Sequence, residues 1–168
     1  MTKLLLSLHV LAALVTVGPV TVAASMFPAT LRRALGAPNA DSDADADSDD
    51  GNILTTLRTL HRICRVYAGI GIAVPLFGLA TAGSLGVLGD AWLITSILLT
   101  AAAAGVLALL ILPAQDRALV ETTGSASPLS APTTLAPGRL AMVTGIFNLL
   151  WATVTVLMII RPGSTTGV

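Results

Sequence analysis

Few side chains in this 168-residue chain could do chemistry, and its two imidazoles come first. His9 sits in an otherwise uncharged apolar run, LLLSLHVLAALVTVGPVTVAA, at 4–24. An imidazole in such surroundings serves as a metal or haem ligand, as a proton carrier, or as a hydrogen-bonding group that fixes one helix against another. His61 stands among arginines instead: Arg58, His61, Arg62 and Arg65 recur at i, i+3, i+4 and i+7, one face of a helix. That face suits the phosphates of a lipid surface. Cys64 is the only cysteine, which excludes an internal disulfide, and it lacks the spaced partners of a zinc or iron–sulfur site. Enzyme signatures are otherwise missing. No carboxylate lies inside an apolar run, so a pair of acids for proton transfer in hydrocarbon is not available. Ser7 and His9 are two residues apart and do not face each other on a helix.

The elements that must position these groups are apolar helices. The chain is 54% hydrophobic and 11% charged, with a mean hydropathy of +0.86; soluble domains carry about 25% charged residues. Four runs, 4–24, 66–88, 91–112 and 140–160, are long enough to cross a hydrocarbon layer of about 30 Å at ~1.5 Å per residue. The expected fold is therefore all-α: a four-helix transmembrane bundle in one integral membrane domain, 1–168. An amphipathic helix at 53–65 is expected to lie on the membrane surface. The first run is too long for the core of a cleaved secretory signal, and Arg32 and Arg33 flank it as they would a retained span. Two linkers are expected: an acidic, disordered one at 25–52, and one rich in Pro, Ser and Thr at 113–139. The aspartates from Asp41 to Asp50 lack the Gly and Glu of an EF-hand loop and read as a solvated spacer rather than a calcium site.

Each run carries a small or polar stripe, and such stripes pack inward in membrane bundles. Tyr67, Gly71, Pro75, Gly78 and Ala82 form one; Thr144, Asn148, Trp151 and Thr155 form another. Small-residue faces of this kind also suit homo- or hetero-oligomers. Pro19 and Pro75 are expected to kink their helices and to free the carbonyls of Val15 and Gly71, the former within reach of Thr16. Counting ~1.5 Å per residue inward puts His9, Ser96 and Thr155 at one depth, roughly 8 Å from one boundary. A polar cluster of these three, beside Gly78 and Ala82, is expected there. In the preferred reading His9 bonds a hydroxyl and fixes helix register. A haem or metal ligand is the alternative, and a proton or solute path the third. Asn148 and Trp151 read as helix glue. His9 and His61 lie near opposite boundaries, so a single haem held by both is excluded by depth, and a haem would rest on His9 alone. The lipid bilayer is the expected partner; no basic stripe for nucleic acid lies outside the helix flanks.

Arg32, Arg33, Arg58, Arg62, Arg65, Arg117 and Arg139 border the two long linkers, against Lys3 and Arg161 at the other boundary. The positive-inside rule then places both linkers in the cytoplasm and both termini outside.

The opening K-x-L-L-x-L-H-V-L, the P-x-x-x-R-R at Pro28–Arg33, the L-P-A-Q-D-R from Leu112 and the final I-I-R-P resemble a bacterial family of four-helix integral membrane proteins of unknown function. That family is distantly similar to copper-resistance membrane proteins of the D type and to the haem-carrying four-helix protoporphyrinogen oxidase. The resemblance implies a four-span protein of a bacterial plasma membrane, with His9 matching a haem-ligating histidine on the first helix. The functional lysine of a later helix has no counterpart here, where Lys3 is the only lysine.

Overall fold

A computed structural model describes residues 2–36, 46–123 and 136–163. Among these, six α-helices and one π-helical turn form four long rods, and no strand occurs. The first rod is α1, Thr2–Gly36. The second is α2, Ala46–Ile70, continued after a break by α3, Ala73–Leu85. The third is α4, Ala91–Gly105, a π turn at Val106–Ile111, and α5, Leu112–Thr122. The fourth is α6, Pro137–Ile160. All four rods are long and apolar enough to cross a membrane.

Three rods outrun the spans read from hydropathy. α1 continues twelve residues past Ala24, and at ~1.5 Å per residue its 35 residues measure about 52 Å, some 20 Å more than a hydrocarbon core. Val20, Ala23, Ala24, Phe27 and Leu31 keep one buried stripe through this extension, and that stripe carries the helix through Pro28. The two linkers shrink accordingly. The helix of the second rod begins at Ala46, inside the stretch read as disordered. Residues 37–45 and 124–135, the rest of both linkers, lie outside the described residues. The expected surface helix at 53–65 is not a separate element either: it is the middle of α2 and runs straight into the span.

The rods form a ring in which α1 packs on α2, α3 and α6, α6 packs on α4, and α5 closes the ring against α2. The main core sits toward the arginine-rich end. There Phe27, Leu57, Cys64, Ile111, Leu140 and Phe147 are fully buried or nearly so. At the other end a small cluster of Ala82, Trp92 and Leu93 closes the turn between α3 and α4.

Both irregular turns stand beside prolines. Pro75 has no N–H for the Gly71 carbonyl, which accepts instead from the Val74 N–H at 3.1 Å across the break. Pro113 has none for Leu109, and the preceding turn widens until the Leu112 N–H reaches the Leu107 carbonyl, five residues back.

Candidate functional site

The best-developed polar cluster lies at the base of the bundle, between α2 and α5. His61 is buried, not turned outward with the arginines. Its Nδ1 lies 3.1 Å from Gln115 Oε1, so Nδ1–H donates to that carbonyl. Gln115 is fully buried, and its amide N–H donates to Cys64 Sγ at 3.7 Å. His61 Nε2 lies 3.0 Å from Asp116 Oδ1, out of line for a hydrogen bond. Arg58, Arg62 and Arg65 stay exposed. The expected basic face is thus three arginines. His61 leaves it because α5 continues where a linker was expected and packs against α2.

Gln115 was hidden in the sequence by the charges around it. Its signal is the spacing of Ile111, Ala114, Gln115 and Ala118, an i, i+3, i+4, i+7 stripe that crosses Pro113; all four are buried.

The expected cluster of His9, Ser96 and Thr155 does not assemble. His9 Nδ1 donates to the backbone carbonyl of Val74 on α3 at 2.9 Å. Its ring lies against Gly78, where an added Cβ would come within 2.9 Å of Cε1. The missing side chain is what lets the imidazole reach the α3 backbone. Ser96 is buried and donates to the Trp92 carbonyl; Thr155 is exposed and donates to that of Trp151. Helical hydroxyls find a carbonyl four residues back, which leaves them no need for His9. Thr16 behaves likewise, donating to Ala12 rather than repairing Val15.

On α6, Asn148 Nδ2 donates to Ser25 Oγ at 3.1 Å and ties that helix to α1, a helix-joining contact. Asn148 Oδ1 and the buried Thr144 hydroxyl have no hydrogen-bond partner among the described residues. Trp151 stands edge-on to Phe147, with ring centroids 6.4 Å apart. At the opposite end of the bundle from the arginine-rich base, Trp92 donates to Asp90 and lies 5.8 Å from the Arg161 guanidinium, a small anchor of interfacial type.

A haem on His9 can be tested against these positions. A cavity of about 160 Å³ opens inside the bundle, but His9 is not in its wall and the wall is almost wholly apolar. Cofactor pockets run to about 300–1,000 Å³. The residues present do not fit a porphyrin. Nor do three or more His, Cys, Asp or Glu side chains converge on a metal position among the described residues.

The class defined by fold and site is an all-helical, four-span bundle of membrane type, with its polar groups between helices. Comparison with protein-family models, curated proteins and solved structures finds no match.

Proposed function

We propose that this chain is a multi-pass protein of a bacterial plasma membrane with a structural or accessory role rather than a catalytic one. One observation carries the reading: three polar side chains, His9, Gln115 and Asn148, each bond a neighbouring helix, and none of the three lines the bundle's cavity. His9 joins α1 to α3, Gln115 joins α5 to α2, and Asn148 joins α6 to α1. Bonds of this kind fix helix register in a bilayer, where apolar faces alone give little discrimination.

Both termini lie outside the cell and the arginine-rich end in the cytoplasm. Support comes from the grouping of the arginines, since Arg32, Arg33, Arg58, Arg62, Arg65, Arg117 and Arg139 are all exposed on the extended end of the rods. Absorption spectroscopy and metal analysis of the detergent-purified protein test the role. The expected preparation is colourless and free of stoichiometric copper. A Soret band, or bound copper, lost in His9→Ala would overturn the reading in favour of a redox component.

A further inference from the structure

The apolar cavity between the two halves of the bundle is lined by none of the polar side chains that make the helix-joining contacts above. Its wall is formed by α1 at Thr16, by α2 at Tyr67, by the break at Gly71 and Ile72, by α4 at Thr100 and Ala104, and by α6 at Trp151. Two features keep it open. The second rod is interrupted at Gly71–Ile72, so its surface is not continuous there. In addition, α3 packs mainly on α1 while α4 packs mainly on α6, which leaves a gap between these pairs. Trp92 and Leu93 close one end, against Ala82; Leu107 and Ile111 belong to the core that closes the other.

The mouth is lateral. Ile72 is 62% exposed and Ala104 is exposed, and Leu76, one turn beyond Ile72, is 61% exposed. These residues lie about 14–20 Å from the Trp92 end of their rods at ~1.5 Å per residue, near the middle of a hydrocarbon layer of about 30 Å. In a bilayer only hydrocarbon is found at that depth. Of the three hydroxyl-bearing side chains in the wall, Thr16 and Thr100 are bonded to carbonyls of their own helices and Tyr67 is the third. The volume, about 160 Å³, is close to that of an apolar cavity of about 150 Å³ that takes benzene. It has room for a segment of chain, not for a whole lipid.

We propose that this cavity is a lateral binding site for one hydrocarbon chain of a bilayer lipid, entered between α3 and α4 at the helix break. The proposal rests on the membrane-spanning reading. Trp151 in the wall is its reporter, and Trp92→Phe makes Trp151 the sole tryptophan. The full chain is reconstituted into phosphatidylcholine vesicles brominated at mid-chain, and Trp151 fluorescence is followed. Strong quenching is expected, together with its loss in Ala104→Leu, whose added atoms occupy the mouth, and in the smaller filling Ala68→Val, on α2 in the cavity wall beside Tyr67. Flotation with the vesicles and far-UV helicity test the membrane reading separately and are expected to be unchanged.

Parent and filled variants quenched alike, or a parent that mid-chain bromine does not quench, would overturn the site. If Ala104→Leu does not fold, Ala68→Val decides. If neither folds, the parent is compared in lipids brominated near the carboxyl end, and stronger quenching there overturns the proposal.

Discussion

His9 and Gly78 act as a pair, and their coupling is measurable. Gly78→Ala would push a Cβ to 2.9 Å from the imidazole and break its bond to the Val74 carbonyl. The expected cost is on the order of 1 kcal/mol, the net worth of such a bond. In a His9→Ala background the same substitution meets no ring, so its cost should vanish. A double-mutant cycle on thermal unfolding in detergent measures the difference, and additive effects would contradict the contact. Gln115 is the second residue of consequence. Gln115→Leu fills a similar volume but leaves His61 Nδ1 buried without its acceptor, and the expected loss is about 1–3 kcal/mol. By contrast Thr155→Val, at an exposed site bonded only within its own helix, should change thermal unfolding little.

At the scale of the element, the π turn decides which side chains α5 turns inward. One residue more than an α-turn is wound into Val106–Ile111, and each residue turns a helix by about 100°. Deleting the exposed Ala108 removes that extra residue while keeping the faces on either side in place. The expected product is a continuous helix that still brings Gln115 to His61, with thermal unfolding close to the parent's. Inserting an alanine after Leu109 should instead rotate Gln115 out of the core and lower the unfolding temperature by more than Gln115→Leu does. Equal unfolding temperatures for deletion and insertion would refute a register role for the turn. This register was only partly legible in the sequence. Pro113 reads as the start of a linker, and the charges of Asp116, Arg117 and Glu121 make the following residues look like its continuation. Their helix is held by the buried stripe of Ala114, Gln115 and Ala118, and the charges lie on its other face or at its end.

For the whole molecule the decisive quantity is length. Three continuous apolar spans of 32–35 residues cannot be contained in hydrocarbon, and the surplus gathers at the arginine-rich end as a packed base around Phe27, Leu57 and Ile111. Sidedness is tested with single cysteines in a Cys64→Ser background and an impermeant thiol reagent. Leu88→Cys, in the exposed turn between α3 and α4, should label from outside intact cells; Thr123→Cys, at the end of α5, only after lysis. The reverse pattern would invert the topology.

Hydropathy and residue counts alone determined that the fold is all-α, has four apolar spans and gathers seven of the eight arginines at one boundary. Those properties follow from transfer free energy and charge, which are summed locally along the chain. Where the helices end, and which partners the polar side chains take, was settled only in three dimensions. His61 leaves its arginine neighbours for Gln115 on another rod, and His9 takes a backbone carbonyl that the absence of a side chain at Gly78 exposes. A hydrogen bond depends on two groups meeting at about 3 Å, and no periodicity along one helix specifies what a neighbouring helix will bring to that point.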